Sequence, residues 1–265
     1  VAFNKDSITG TVIIALVLCL VCSVIVAGSA VSLSDLQKQN KTNEKRVAVL
    51  QIAGVYDAKK TVDEQFENVT ARVVNLEEGR YANDDELAAL KAAGYNPASF
   101  DHYKAAKDPA FSHALKSDED PSSIKRLGKF ANVFLVKLTD GSQEMVIPVH
   151  GYGLWSTLYG FVALKDDLNT LVGLGFYSHA ETPGLGGEVD NPKWKALWPG
   201  KKLYKEGDKV ALTVIKGHAE ASDPYHVDGL SGASLTSRGV DHLVKFWLGE
   251  QGFGKFITNL KAQGV

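Results

Sequence analysis

From Ser7 to Ser34 no residue carries a charge, and the centre of that stretch, Thr11-Val-Ile-Ile-Ala-Leu-Val-Leu-Cys-Leu-Val-Cys-Ser-Val-Ile-Val-Ala27, is almost wholly apolar. About 20 such residues at 1.5 Å per residue cross the hydrocarbon core of a bilayer, where a helix satisfies its own backbone. No second run of this kind occurs in the chain. The reading is a single N-terminal transmembrane helix. A cleaved signal peptide is the alternative, with Gly28 and Ala30 as small residues near a cleavage point. The run is longer than the apolar region of such signals, which favours the anchor. Lys5 precedes the span, and Lys38, Lys41, Lys45 and Arg46 follow it. Taken alone, this excess puts the following residues in the cytoplasm, but the charge rule weakens when a long domain follows.

The composition of the remainder is that of a folded domain. Apolar residues make 45% and charged residues 23% of the chain, with 25 Gly and 8 Pro, which excludes collagen-like, low-complexity and disordered readings. The net charge of −2 lacks the basic excess of a phosphate-backbone binder, so nucleic acid is not an expected partner. Both cysteines, Cys19 and Cys22, lie in the apolar run. The soluble part therefore holds no disulfide, thiolate-bound zinc, iron–sulfur cluster or cysteine nucleophile. In hydrocarbon the pair reads as small packing residues rather than a redox couple. The seven histidines show no His-x-x-x-His spacing, and no metal site is expected. Ser122-Ser-Ile-Lys125 matches a hydrolase tetrad but sits in a Pro-flanked acidic loop without companion motifs.

Periodicity gives an α+β chain in three parts: an anchor at 1–34, a helical stalk at 35–60 and a folded domain at 61–265. Leu36, Val47, Leu50 and Val55 put a helix over 35–58, and Val62, Phe66 and Val69 a second over 61–70. Residues 72–78 read as a strand, and 82–127 as a surface excursion with little periodicity. Alternation over 130–138, a turn at Asp140-Gly141 and Met145–Val149 predict a hairpin. Gly160–Leu164 and Leu171–Tyr177 predict another, and Val210–Ile215 a fifth strand. Val240, Leu243, Val244, Trp247 and Leu248 define one face of a helix starting near Thr236 or Ser237 and ending at Gly249. The expected sheet is antiparallel and flanked by helices.

Three segments carry chemistry. Asp228-Gly-Leu-Ser-Gly-Ala-Ser-Leu-Thr-Ser237 sets two glycines and several hydroxyls before that helix. Unpaired amides and the helix dipole favour an anion there, although a cap and glycine turn explain the same residues. Thr236 and Ser237 are suited to capping the helix. His179-Ala-Glu-Thr-Pro-Gly-Leu-Gly-Gly187 is a glycine-rich loop against which a flat ligand can lie, or a long turn. Gly151-Tyr-Gly-Leu-Trp-Ser-Thr-Leu-Tyr-Gly160 supplies flat aromatic surface, or core.

Together these segments resemble the FMN-binding domain of sodium-pumping and related respiratory complexes. Asp228-Gly-Leu-Ser-Gly-Ala-Ser-Leu-Thr resembles the flavinylation motif of that family, and His179-Ala-Glu-Thr-Pro-Gly-Leu-Gly its companion loop. One span before such a domain, and the ending Val244-Lys-Phe-Trp-Leu-Gly-Glu-Gln-Gly-Phe-Gly254, are similar to the C subunits of Na+-translocating NADH:quinone reductases. The G subunits of Rnf-type electron-transport complexes are the nearest siblings.

The resemblance implies FMN held by a phosphoester on Ser234, where the family more often has Thr, attached by a flavin transferase using FAD. It places Asp228, Gly229, Ser231, Gly232, Ala233, Leu235 and Thr236 in the attachment motif, with Asp228 and Gly232 acting in transferase recognition. Leu154, Trp155, Glu181, Thr182 and the Gly184-Leu185-Gly186 backbone are expected at the flavin ring, with Lys216 near its polar edge. It implies a periplasmic domain on a bacterial inner-membrane anchor. From there electrons pass toward the FMN of the complex's B subunit and then ubiquinone, with the membrane-embedded D and E subunits alongside. An anchored flavin module without turnover, and an anchored hydrolase, are the competing classes; no nucleophile–base pair stands out for the second.

Overall fold

The computed structural model describes residues 7–264 apart from 208 and 221; Lys5, used above for orientation, lies outside the described residues. The chain forms two units, Val1–Lys45 and Arg46–Val265. Helix α1 (Ile8–Ile52) is long and apolar enough over part of its length to cross a membrane.

In chain order the second unit continues with α2 (Val62–Phe66), β1 (Val69–Asn75), β2 (Arg80–Tyr81), α3 (Asp84–Ala92), α4 (His102–Ala105), β3 (Ser112–Ala114) and β4 (Arg126–Gly128). Then come β5 (Phe130–Lys137), β6 (Gln143–Tyr152), β7 (Thr157–Leu164), β8 (Leu171–Ser178), α5 (Pro192–Lys195), β9 (Thr213–Ile215), β10 (His226–Asp228), α6 (Ser234–Leu248) and α7 (Gly254–Ala262). The main sheet has the order β2-β1-β5-β6-β7-β8. Every pairing in it is antiparallel.

Both faces of this sheet are covered, which is why its strands read as nearly continuous apolar runs. Side chains alternate between faces, so Met145, Ile147 and Val149 of β6 enter one core while Val146 enters the other. The larger core takes Val240, Leu243, Val244 and Trp247 of α6, Phe256 and Ile257 of α7, and Trp194 of α5. The second core is closed by Ala48 and Val49 from the last turns of α1. The sequence's apolar stripe over 240–248 is thus the seam that fixes α6 on the sheet.

Several elements differ from expectation. Helix α1 runs unbroken from the anchor into the stalk, since 35–52 contains neither Pro nor Gly, and it stops at Ile52 rather than 58, just before Gly54 with its φ of +67°. The helix over 61–70 is only Val62–Phe66, started by a capping box at Thr61; Val69 already belongs to β1. Residues 82–127 are more than an excursion: Leu90, Phe100 and Ala105 build a third core with Val73 and Phe130. The strand over Val210–Ile215 is shortened to Thr213–Ile215, and it pairs in parallel with β10 outside the main sheet. Helix α6 begins at Ser234, not at Thr236 or Ser237, and neither of those is its cap.

One buried acid gives a pH test of this packing. Glu144 shares the β6 face of Val146; it is buried, and its Oε2 has no hydrogen-bond partner. Burial foremost pushes its pKa up to about 7, against the pull of Lys165 and with a smaller push from Asp140. The folded chain therefore keeps a proton that the unfolded chain releases at about pH 4.3. Stability from this group falls as pH rises from there through the folded value. Glu144→Gln is expected to melt increasingly above wild type as pH rises from about 5 to about 8. A melting difference that stays constant over that range contradicts this.

Candidate functional site

Helix α6 opens without a side-chain cap, because its N-cap residue is Ala233. Ser237 is the first residue to donate back into the turn, to Ala233 O at 3.0 Å. The amides of Ser234, Leu235 and Thr236 precede it and have no intrahelical acceptor. They concentrate the positive end of the helix dipole beside the exposed Ser234 hydroxyl.

A cavity of about 420 Å³ lies next to this point, between 214–218 at the end of β9, the turn 229–232 and the first turns of α6. Ser234, Lys216, His218 and Arg238 all line it. Lys216 and Arg238 are exposed and make no ion pair among the described residues. Asp241 is the acid of the cavity, but its carboxylate already accepts from Val214 N and Lys245 Nζ, both at 2.9 Å. The donor set is that of a phosphate site: helix amides, a guanidinium and an ammonium. The residues present fit the phosphate of FMN.

Asp228 does not line the cavity, but it holds the cavity residue His218. Its Oδ1 accepts from Ala219 N at 2.8 Å and its Oδ2 lies 2.6 Å from His218 Nδ1. Burial pushes its pKa up, but the Ala219 amide and His218 outweigh that and hold it below the usual range. The next residue, Gly229, allows the turn to pass Ile215, whose carbonyl oxygen a Cβ there would meet at 2.5 Å.

Glu181 draws the three motif segments together. Its Oε1 accepts from the amides of Leu154, Trp155 and Ser156 at 3.1, 3.0 and 3.2 Å. Its Oε2 accepts from Thr236 Oγ1 at 2.8 Å. The residue is 5% exposed, and glycines make room for its carboxylate: a Cβ at Gly153 or Gly186 would stand 2.7 or 2.6 Å from its oxygens. Burial raises its pKa, yet the Trp155 amide, the Thr236 hydroxyl and the remaining amides together hold it below the ordinary carboxylate value. The β6–β7 turn also rests directly on α6, because Gly239 presents no Cβ to Tyr152 O, which one would meet at 2.5 Å.

The outer surface of this junction is apolar. Outside α1, the described large hydrophobic residues that stay exposed are Tyr56, Tyr152, Leu154, Trp155, Leu185 and Leu235. All but Tyr56 lie on the elements joined by Glu181. Trp155 is 66% exposed, far beyond what a core reading of its segment predicts. Such a concentration marks a binding surface.

Among the residues singled out from sequence, Ser234, Ser231, Gly229, Gly232 and Lys216 share the cavity. Leu235 is exposed beside it, and Ala233 is buried as the helix N-cap. Leu154, Trp155, Thr182, Gly184 and Leu185 are exposed but lie outside the cavity lining, while Gly186 is buried against Glu181. Thr236 does not cap the helix because its hydroxyl is given to Glu181. Ser237 does not cap it either; its Oγ donates to Ala233 O and receives Leu230 N at 2.8 Å. Sequence reading missed Arg238 and His218. Arg238 stands one helical turn after Ser234, a spacing that places both on one face once the helix start is known.

The FMN-binding domain family matches residues 153–249, the span that contains nearly all of the three segments. The C subunit of the Na+-translocating NADH-quinone reductase of Pseudomonas aeruginosa is 50% identical over 97% of this chain and 98% of its own length. The chain belongs to the NqrC family, the C subunits of Na+-translocating NADH-quinone reductases. The Vibrio parahaemolyticus member is 43% identical, covering 100% of this chain and 99% of its own. The crystal structure of Shewanella oneidensis NqrC superposes with a TM-score of 0.73 at 36% identity, over 83% of this chain and 99% of that one. The NqrC structure from Parabacteroides distasonis gives 0.62 at 28% identity, over 85% and 97%. The α+β fold, with one N-terminal apolar helix before an FMN-binding domain, is that of the family.

Proposed function

We propose that this chain is a membrane-anchored electron-transfer subunit whose FMN is fixed by a phosphoester to Ser234 Oγ. The observation that carries this is the convergence on one exposed hydroxyl of uncapped helix amides, a cavity, and two cations, Lys216 and Arg238, that form no ion pair among the described residues. In the attachment step the Ser234 oxygen bonds to the FMN phosphorus of FAD, the pyrophosphate P–O bond breaks, AMP leaves, and the hydroxyl proton passes to a base of the flavin transferase. Lys216, Arg238 and the α6 amides bind and orient the phosphate. Leu154, Trp155, Leu185 and Leu235 offer the apolar face for the ring, with Thr182 and Gly184 in the adjoining loop.

Bound there, FMN supplies one- and two-electron redox chemistry. The chain's own part is to hold it against loss and to set its surroundings. Residues 1–34 serve as anchor, 35–60 as stalk and 61–265 as the flavin domain. The domain stands between the NADH-oxidising side of the complex, with its FAD and iron–sulfur centres, and the flavin of the B subunit on the way to ubiquinone. The membrane-embedded D and E subunits are its neighbours. The direct test is optical: NADH should bleach the flavin of this chain in the assembled complex and leave it oxidised in the isolated chain. Failure in the complex contradicts the relay and leaves only a static flavin module.

The same reading places the domain in the periplasm of a bacterial inner membrane, against the charge count around the span. A periplasm-active reporter fused after residue 265 is expected to work, and a cytoplasm-active one to stay silent. The reverse pattern contradicts the orientation.

A further inference from the structure

The carboxylate of Glu181 does more than join loops. Resting on the flavin reading above, we propose that its fixed negative charge, set behind the platform next to Ser234, lowers the reduction potential of the bound flavin. Its placement is closely fixed. Oε1 is held by the backbone of Leu154, Trp155 and Ser156, and Oε2 by Thr236, two residues after the attachment point. Gly186 closes the third side. A group tethered at Ser234 and resting on Trp155 and Leu235 would lie on residues whose backbone and neighbour this carboxylate binds, the Trp155 amide and Thr236.

Among the described residues no cation pairs with this charge. Its partners are three amides and two hydroxyls, those of Thr236 and Ser156, with Ser156 Oγ at 3.5 Å. These dipoles stabilise the ionised form without neutralising it. Each packed element contributes dipoles rather than a counter-charge. The β6–β7 turn gives amides and α6 gives Thr236. The 179–187 loop brings His179, whose Nδ1 instead accepts from the Glu181 amide at 3.2 Å. His179 Nε2 is engaged with Asp190 at 2.7 Å. Lys216 and Arg238 line the cavity, and Glu181 is not part of that lining.

Full reduction takes two electrons and one proton from reductant and solvent, so the flavin gains one negative charge. A buried carboxylate opposes that gain far more than a solvated one, because little water screens it. A neutral Gln has the same shape and keeps an oxygen for the three amides, while its amide nitrogen can donate to Thr236 Oγ1. The loops therefore stay joined while the charge goes.

The test uses the full-length chain in detergent, flavinylated by the transferase, with redox titration followed by flavin absorbance. Attachment is scored first, by the mass of the Ser234 peptide, so the two readings fail separately. Glu181→Gln is expected to keep the flavin on Ser234 and to raise the reduced-to-oxidised ratio at a fixed potential about tenfold, equivalent to about 30 mV for a two-electron couple. Glu181→Asp, which keeps the charge, should stay close to wild type. Thr236→Val keeps the carboxylate and removes a dipole aimed at it, so it should shift the ratio the other way. Its direction decides the matter even if Glu181→Gln does not fold. A flavinylated Glu181→Gln chain with an unchanged potential, or a Thr236→Val shift in the same sense as loss of charge, overturns the proposal. A wild-type chain carrying no flavin on Ser234 overturns the functional reading and this inference with it.

Discussion

Ser234→Ala is expected to abolish covalent flavin altogether, while Ser234→Thr retains it. The hydroxyl is the one group in the segment that is exposed, lines the cavity and stands at the first position of α6. Of the other hydroxyls, Thr236 is buried and bound to Glu181, and Ser237 is buried and bound to Leu230 N and Ala233 O. Neither can reach a phosphorus without breaking the site. Ser231 is exposed and lines the same cavity, but it precedes Gly232, which takes a φ of +74°, and lies outside the helix. Ser231→Ala should keep flavin. The measurement is flavin fluorescence of the chain after a denaturing gel, where only a covalent cofactor survives. A fluorescent Ser234→Ala band sinks the assignment.

Trp247→Ala should produce the largest loss of stability among single changes near the site. Trp247 is 2% exposed and packs against Phe246 and Phe253, with His150 4.8 Å away between ring centroids. Its Nε1 donates to His150 O at 2.6 Å, tying α6 to β6. Truncating a buried Trp costs about 3–5 kcal/mol through lost burial and the cavity left behind. A carbonyl deprived of its donor adds to this. For a domain of this size that is a fall in Tm of about 6–20 °C. Thermal unfolding of the full-length chain checks it; a fall of under about 3 °C shows that the α6–β6 seam does not hold the domain together.

The anchor, the two hairpins and α6 are legible in the sequence because each has a period that physics imposes. An uncharged run, an alternating strand and a stripe at 240, 243, 244, 247 and 248 each bury one defined face. What depends on contacts distant in sequence is not legible. Local pattern puts the start of α6 two or three residues late, because hydroxyls at 236 and 237 look like caps. They are instead partners of Glu181 and Leu230, a pairing no local pattern encodes. The apolar character of 210–215 suggests a strand, but its pairing with β10 is parallel and short. The site is legible as three segments but not as one place. Glu181 joins residues 27 positions before it and 55 after it. Arg238 is hidden because a lone arginine on a helix usually signals a solvated face.

Peptide mass spectrometry tests the phosphoester on Ser234 most directly. Cleavage after Lys216 and Arg238 yields the peptide 217–238, which contains Ser222, Ser231, Ser234, Thr236 and Ser237. From the full-length chain made with its flavin transferase, that peptide should carry the mass of one esterified FMN, and fragmentation should localise it to Ser234. Strong base should then release the flavin by β-elimination and leave dehydroalanine at position 234. FMN on a different residue, or a 217–238 peptide that stays unmodified in a chain that binds flavin, contradicts the account.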